Sequence, residues 1–397
     1  MIVITDKAKC CGCTACKETC PTDAIKMKSD QEGFVYPVTD TNKCIKCNKC
    51  NRICPIINDS KETDYPRKAY IAQNKKDDIR FDSTSGGVFS ALANYVISRK
   101  GYVYGAEFDR EWNVVHGVGI NKEDLSRFRG SKYIQSDLND TFQSIKKLLE
   151  DDNWVLFTGT PCQVAGLHYF LQKKYDKLIL MDVVCYSISS PKVWKLYLEH
   201  LVKKNKLDIS RVSQIKFRDK SKYGYEYTLM TFYDKDKKVL YSSGPESNQM
   251  LRSFVSNTST RPSCYECKFK KINRLSDFTV WDCYNVYKYK KELDDNGGTS
   301  HVIIHSDKAS KILEEIKEKD LLLQSVDLNQ AVASEPALLE CSVPNDKRDV
   351  FFEYIEEGSN PFNVFFKDNL KVKIERLLRK SLSRIGIYGG IKRLIKG

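Results

Sequence analysis

A cysteine motif that occurs twice near the N-terminus constrains this chain more than any other feature. Each copy reads Cys-x-x-Cys-x-x-Cys-x-x-x-Cys-Pro, and the copies begin at Cys10 and Cys44. Bacterial ferredoxins use this spacing, in which three thiolates of one loop bind one 4Fe-4S cluster and the fourth binds the neighbouring cluster. The motif therefore predicts two 4Fe-4S clusters. The predicted ligands are Cys10, Cys13, Cys16 and Cys54 for the first cluster, and Cys44, Cys47, Cys50 and Cys20 for the second.

Zinc and disulfide bonds are the alternative uses of these cysteines. Zinc sites usually take two cysteine pairs separated by a long spacer, whereas here four cysteines crowd into one short loop. Disulfides would require export, and residues 1–6 lack the basic start and the apolar run of a signal peptide. Fifteen cysteines without export indicate a reducing, cytoplasmic location. Cys11 falls outside the motif and is interpreted as a spare, partly buried thiol.

The length of 397 residues predicts two or three structural units. We expect a small two-cluster ferredoxin-like domain at residues 1–60. A larger α/β domain with a mixed sheet would follow at residues 69–345, and a basic helical tail at residues 346–397. Residues 58–67 are polar and contain Pro66, a composition typical of a linker. No run of apolar residues is long enough to cross a bilayer.

Strand–loop–helix units predict that the α/β sheet carries reactive groups at one edge. The apolar strand of residues 154–157 leads into a helix that begins at about Pro161, which puts Cys162 at the carboxyl end of the strand. Residues 178–184 form a second apolar strand, which ends at Cys185. Alternating strands and helices of this kind favour a mostly parallel sheet.

A second candidate site precedes a helix with one buried face. Apolar residues recur every four positions from Val88 onwards, as in an amphipathic helix. The Ser-Thr-Ser sequence at residues 83–85 offers hydroxyls that would cap this helix, and Gly86 and Gly87 let a ligand approach the backbone. A helix N-terminus of this type suits a phosphate. An ordinary capped helix explains the same pattern.

The formal net charge of +13 is concentrated towards the C-terminus. Residues 367–396 hold ten Lys and Arg against two acidic residues, interleaved with Leu and Ile at helical spacing. This pattern predicts a basic amphipathic helix that makes a peripheral membrane contact or binds a partner helix. The alternative is a solvated helix packed on its own domain. No DNA-recognition helix accompanies the charge, so nucleic-acid binding is not expected.

The order of six segments resembles the coenzyme F-420 hydrogenase/dehydrogenase beta-subunit family over roughly residues 1–345. The segments are the two cysteine motifs taken together and residues 84–87, 129–133, 159–167, 263–267 and 298–300. The most specific is the Gly-Thr-Pro-Cys-Gln-Val-Ala-Gly-Leu string at residues 159–167. Members of this family are iron–sulfur flavoproteins, so the resemblance implies that the α/β domain binds FAD. The implied contacts are phosphate-side contacts from Ser85, Gly86 and Gly87, an electrostatic contact from Lys132, and a loop near the flavin formed by Gly159, Thr160 and Pro161.

The chain departs from this family at two places near the expected substrate side. The family often has Cys-His-Gly where this chain has Cys185-Tyr186-Ser187, and it favours Gly-Asp where this chain has Trp281-Asp282. A deazaflavin of the coenzyme F-420 type is therefore only one candidate substrate. Relatives linked to surface-polysaccharide pathways suggest other substrates.

Four further cysteines are candidates for a third ligand set. Four thiolates suit an additional 4Fe-4S cluster or zinc, and buried unreactive thiols are the alternative. Cys283 is an alternative member of the set, and Cys341 is interpreted as structural. The candidate ligands are Cys162, Cys185, Cys264 and Cys267.

These features together predict an iron–sulfur flavin oxidoreductase. It would pass electrons between a low-potential carrier or ferredoxin-like partner protein, the clusters and FAD, with hydride transfer to or from a small organic acceptor. The sequence identifies no catalytic residue, because the five histidines lack ligand-like spacing and no nucleophile set stands out. The alternatives are a non-catalytic electron-transfer subunit of a larger redox complex, and a redox sensor that responds to cluster loss.

Overall fold

Eight strands form one mixed sheet at the centre of the chain, and helices cover both of its faces. The structure is a computed structural model that describes residues 1–58 and 65–391. Most of the predicted linker and the last six residues of the predicted tail lie outside the described residues. The strands are β1 (Ile25–Ser29), β2 (Val35–Thr39), β3 (Lys68–Asn74), β4 (Tyr102–Phe108), β5 (Val114–Gly119), β6 (Val155–Gly159), β7 (Leu178–Val183), β8 (Gln214–Asp219), β9 (Leu229–Tyr233), β10 (Val239–Ser243), β11 (Phe278–Asp282), β12 (Ser300–Ile304) and β13 (Leu321–Val326).

The helices alternate with the strands of the large sheet in its first half and cluster towards the C-terminus. The α-helices are α1 (Ala15–Glu18), α2 (Lys49–Arg52), α3 (Asp77–Asp82), α4 (Val88–Ile97), α5 (Leu125–Phe128), α6 (Thr141–Glu150), α7 (Pro161–Leu171), α8 (Pro191–Asn205), α9 (Gln249–Val255), α10 (Asp307–Lys319), α11 (Leu328–Ala333), α12 (Arg348–Glu356), α13 (Phe362–Phe365) and α14 (Leu370–Arg384).

The large sheet has the strand order β13-β3-β12-β11-β7-β6-β4-β5. Its four central strands, β4, β6, β7 and β11, run parallel, and every pairing outside them is antiparallel. The expectation of a mostly parallel sheet is therefore wrong for the flanks. Only short 3-10 turns separate β11 from β12, so the chain lacks the crossover helix that a parallel return would need.

Alternating side chains of the central strands build the two main layers. Leu156 and Ile179 face the core beneath α4 and α10, whereas Phe157 and Leu180 face the core beneath α6 and α7. Both strands read as continuous apolar runs because both of their faces are covered. The predicted strands at residues 154–157 and 178–184 are confirmed in this arrangement.

A second core surrounds α8 and the small sheet β10-β9-β8. Trp194 and Tyr197 of α8 are almost fully buried there, against aromatic side chains of β8 and β9. All pairings in this small sheet are antiparallel. The C-terminal helices α12 and α13 close the same core through Phe351 and Phe362.

The N-terminal cysteine-rich module, residues 1–58, packs directly on the rest of the chain. It consists of the β1–β2 hairpin and two short helices, each of which begins inside a cysteine motif. Phe34 of the hairpin is fully buried in the core around α8, and Ala15 of α1 is fully buried against the α6–α7 layer. The module therefore shares both of these cores, in addition to a small cluster of its own around Ile2, Cys16, Ile25 and Cys50.

The C-terminal part of the chain holds the N-terminal module in place. The guanidinium of Arg348 in α12 donates two hydrogen bonds to the Glu32 carboxylate, at 2.9 and 2.6 Å, and a third to the Thr260 carbonyl. The predicted tail helix is present as α14. None of the described helices combines the length and apolar character that a membrane span requires.

Candidate functional site

The carboxyl ends of the parallel strands open into a large cavity. Its volume of about 410 Å³ lies within the roughly 300–1,000 Å³ of an ordinary small-molecule site. The walls come from the loops after β6 and β7, the end of β11, the loop before α4, and the N-terminal module. This is the sheet edge at which α/β proteins bind ligands.

Four of the predicted ligands meet at one wall of this cavity. Each of the four thiols lies within electrostatic range of the other three, although they come from three separate loops. Cys162 opens α7, Cys185 follows β7, and Cys264 and Cys267 lie in the loop between α9 and β11. Cys283 is buried in a different cluster, with Ile71 and Val286. The structure thus brings together the third candidate set and leaves Cys283 apart from it.

Cys11 links this set to the N-terminal module. Its thiol lies within hydrogen-bonding reach of both the Cys13 and the Cys162 thiols, and the contact with Cys13 and burial raise the pKa of Cys11. Cys13 belongs to the first predicted ligand set, in which Cys10, Cys16 and Cys54 also lie within mutual electrostatic range. Cys11 is therefore an intermodule contact and not merely a spare thiol.

The second predicted ligand set lies towards the surface of the N-terminal module. Cys20, Cys44, Cys47 and Cys50 all line one cavity of about 340 Å³, its open side included. Cys47 is exposed and Cys50 is buried. Across residues 1–58 and 65–391, no three Cys, His, Asp or Glu side chains are arranged to hold a single metal ion.

Arg261 joins the first cysteine motif to the cavity wall. Its side chain is 1% exposed. The guanidinium donates to the Cys10 carbonyl at 3.0 Å, the Val35 carbonyl at 3.0 Å and the Gln135 side-chain oxygen at 2.8 Å. It also lies over the Tyr36 ring, 4.4 Å from the centroid. Its positive charge lowers the pKa of the Cys162 thiol, against the larger upward effects of Cys11 and burial.

The loop before α4 is held by its own hydroxyls. The Ser85 hydroxyl donates to the Thr299 carbonyl, and the Thr84 hydroxyl accepts from the Ser131 N–H. The prediction that these hydroxyls cap α4 is wrong. The N-cap is Gly87, which has a left-handed φ of 83° and no side-chain cap. The hydroxyls instead fasten the loop to two neighbouring segments.

The two glycines of this loop have different surroundings. Gly87 lines the cavity, as Ser85 does. Gly86 is not among the cavity-lining residues, and its N–H donates to the Ser300 hydroxyl. A Cβ at Gly86 would collide with the backbone of Ala72 and Ser300, so close packing of β3 and β12 requires this glycine. Phosphate contacts from these residues remain a prediction.

Lys132 lines the cavity, but its ammonium already has three backbone partners. It donates to the carbonyls of Ala106, Arg127 and Arg129. A lysine has three N–H donors, so all of them are in use. Burial lowers the pKa of Lys132 to about 7. The side chain therefore stabilises the loop at residues 129–133. It acts on the cavity only through the electrostatic field of its charge.

A directed hydrogen-bond chain holds the loop of Gly159, Thr160 and Pro161. The Thr160 N–H donates to the Gln163 side-chain oxygen, and the Gln163 amide donates to the Ser136 hydroxyl. That hydroxyl donates to Nδ1 of His116, because Nε2 must carry the proton that it donates to the Thr158 carbonyl. Burial lowers the pKa of His116 to about 4, so the ring is neutral at pH 7.

Sequence reasoning missed Cys11, Arg261 and His116 as parts of this site. Cys11 departs from the motif spacing, and that departure is the one sequence signal that could have indicated its separate role. Arg261 precedes Pro262 without any motif, and His116 has no ligand-like spacing. Their roles depend on contacts across long sequence separations, such as the 251 residues between Arg261 and Cys10.

Comparison with known proteins connects the sheet and its cavity to one family. Residues 152–327 match the family described as the C terminus of the coenzyme F420 hydrogenase/dehydrogenase beta subunit. A solved structure, the xenon-derivatized F420-reducing NiFe hydrogenase complex from Methanosarcina barkeri, contains a chain with 17% sequence identity and a TM-score of 0.47. The similarity covers 70% of this chain and 92% of that chain. No curated protein matches. Over residues 152–327, the chain is therefore similar to the C terminus of the coenzyme F420 hydrogenase/dehydrogenase beta subunit.

Proposed function

We propose that this chain is an iron–sulfur flavoprotein oxidoreductase. It would exchange electrons with a low-potential carrier or partner protein and hydride with a small organic molecule. The observation that carries the proposal is the convergence of Cys162, Cys185, Cys264 and Cys267 on the wall of the large cavity. A family of hydrogenase and dehydrogenase subunits supports the same redox class.

The chemistry of these four thiols fits a cationic metal cluster. Burial raises the pKa of Cys185 to about 12 and that of Cys267 to about 11, and the Cys162 thiol adds to both. Without a cation the thiols stay protonated, whereas bound iron would hold them as thiolates. Lys270 provides positive charge beside the set, and its ammonium donates to the Cys185 carbonyl at 2.5 Å.

The three thiol sets form a series from the surface to the cavity. The outermost contains the exposed Cys47, where a partner protein has access. The next is the buried set around Cys16, and Cys11 bridges from its member Cys13 to Cys162 at the cavity. Such a series suits one-electron transfer between a surface partner and an enclosed site. In a single-ion zinc protein it would have no evident purpose.

The cavity also suits an anionic dinucleotide. Its described lining includes seven Lys or Arg residues and two acidic residues. Gly130, in the lining loop before Lys132, has a φ of 81°, and a Cβ there would meet no atom within 4 Å. Open space beside a basic wall is what the diphosphate of FAD would require, since phosphate groups favour cationic surroundings.

When bound, clusters would supply one-electron transfer and FAD would couple it to two-electron hydride chemistry. The chain's own residues orient and enclose that chemistry. The neutral His116 keeps the loop of residues 159–161 fixed without adding a charge to the site. Arg218 forms an ion pair with Asp282 at the cavity wall. This ion pair would fix Trp281 and Asp282 on the expected substrate side of the cavity.

The third ligand set can be tested with two cysteine variants of anaerobically purified protein. Cys264→Ser should lose about four of about twelve irons per chain, together with the matching sulfide and one reduced-state EPR signal. Cys283→Ala is the control, because Cys283 is a buried thiol that lies outside the set. Unchanged iron in Cys264→Ser, or equal loss in both variants, would contradict the assignment.

The flavin site can be tested at Gly130, where charge alone can be varied. Asp and Asn tolerate a left-handed backbone similarly and have nearly the same size. Gly130→Asp should therefore lose most of the bound FAD by repelling its diphosphate, whereas Gly130→Asn should retain it. Flavin absorbance after gel filtration gives the content. Equal FAD in the two variants would place the diphosphate elsewhere, and a wild-type protein that binds no added FAD would refute the flavoprotein proposal.

A further inference from the structure

Helix α14 presents an apolar stripe to solvent. Leu370 is 72% exposed and Leu377 is 65% exposed, and the other members of the stripe are also exposed. Their spacing of three or four residues puts them on one face of the helix. Val372 is the single buried residue of α14. The exposed apolar residues are Leu370, Ile374, Leu377, Leu378 and, just after the helix, Ile385.

The polar face of α14 is turned towards the protein. Glu375, Arg376 and Arg379 are half-buried. Arg379 donates to the Glu375 carboxylate at 2.5 Å, and its charge reaches the buried Tyr227. A surface helix of a globular protein normally shows the opposite orientation, with its apolar stripe against the core. The apolar face of α14 is therefore the one that points outwards.

Anchors at both ends prevent the helix from rolling over to bury this stripe. Phe362 and Phe366, before its N-terminus, are buried in the core around α8. Beyond its C-terminus, the Tyr388 ring packs on Tyr227, with 5.5 Å between the centroids. Asn369 caps the first turn through the Val372 N–H. The outward face is thus fixed by packing on either side.

Basic side chains border the apolar stripe. Lys371, Lys373 and Arg384 are exposed on its flanks. An apolar face bordered by Lys and Arg is the signature of a helix that lies in the interface of an anionic membrane. A second copy of this chain fits less well, because a two-fold contact would bring the same cations against one another.

The geometry points to α14 as a docking surface for an anionic lipid bilayer. The apolar stripe would enter the headgroup region, and the flanking cations would contact lipid phosphates. Charge complementarity favours this occupant over a neutral apolar partner. The inference is independent of the proposed redox function, because α14 contributes no residue to the cavity.

Vesicle flotation of the purified full-length protein tests this inference. Binding is expected to vesicles with about one-third phosphatidylglycerol and not to pure phosphatidylcholine, and it should weaken in high salt. Leu377→Asp should reduce the partition coefficient by at least about tenfold, since one buried leucine is lost. Lys373→Glu should reduce it roughly fivefold or more. Ile120→Asp is the matched control, because Ile120 is 60% exposed on a loop after β5, outside α14. This variant should bind vesicles as the wild type does.

Three outcomes would overturn the inference. One is that the wild type fails to float with anionic vesicles even at low salt. Another is that Leu377→Asp floats as well as Ile120→Asp. The third is that the wild type forms a concentration-dependent dimer that does not bind vesicles, and that Leu377→Asp is monomeric. This result would mean that the stripe binds a second copy of the chain. Iron and flavin content should be unchanged in all three variants, which separates this test from those of the redox site.

Discussion

Arg261→Met is expected to lower the free energy of unfolding by about 3–5 kcal/mol. The substitution leaves the buried acceptors of Cys10, Val35 and Gln135 without their donor, and each unsatisfied group costs about 1–3 kcal/mol. It also removes the cation that lies over the Tyr36 ring. Guanidinium unfolding of anaerobically purified protein, followed by tryptophan fluorescence, measures the change. Hydrogen exchange should show the largest loss of protection in residues 1–58.

Arg211→Met is the matched control for this prediction. Arg211 is 56% exposed and paired with Asp234 at 3.5 Å, so its replacement should change the unfolding free energy by less than about 1 kcal/mol. A similarly small effect of Arg261→Met would show that the guanidinium does not hold the N-terminal module on the cavity wall. Increased exchange spread evenly over the chain would point to the same conclusion.

Gly166→Val is expected to remove about four irons per chain and to destabilise the protein by about 1–3 kcal/mol. Gly166 lies on the face of α7 that meets the first cysteine motif. A Cβ there would lie 2.9 Å from the Cys13 Cβ and 3.1 Å from its sulfur. Neither the backbone of α7 nor Cys13, a predicted cluster ligand, can move away easily to relieve this contact. The extra methyl groups should therefore displace Cys13 and separate the module from α7.

Iron and acid-labile sulfide assays compare this variant with Gly390→Val. A Cβ at Gly390 meets nothing within 4 Å, so that protein should keep its full iron content. Gly166→Ala should be intermediate, because alanine favours the helix by about 1 kcal/mol yet still presses on Cys13. Full iron content in Gly166→Val would mean that Cys13 is not a ligand or that the two segments separate freely.

Local sequence signals account for much of the sheet and for part of the site. The apolar run before Gly159, followed by the proline at position 161, predicted both β6 and the start of α7. Cys162 was placed at the carboxyl end of the strand for the same reason. The Leu and Ile spacing after residue 367 predicted α14. These elements depend on neighbours within a few turns, so periodicity and capping residues suffice to predict them.

Other features depend on contacts that no local pattern encodes. The outward orientation of α14 follows from the anchoring of Phe366 and Tyr388, which periodicity does not report. The antiparallel pairing of β13 with β3 joins strands far apart in sequence. At Gly87, the left-handed backbone makes the glycine itself the N-cap, so the neighbouring hydroxyls are free to bond elsewhere. Tertiary contacts decided each of these cases.

The clamp between Arg348 and Glu32 has a consequence for biosynthesis. These residues are separated by 316 positions, and at roughly 5–20 residues per second a ribosome needs about 15–60 s to make that length. Throughout this interval Glu32 lacks its Arg348 partner, although the α7 surface that packs on Cys13 is made earlier. The N-terminal module therefore completes its contacts with the rest of the chain only after α12 has been made.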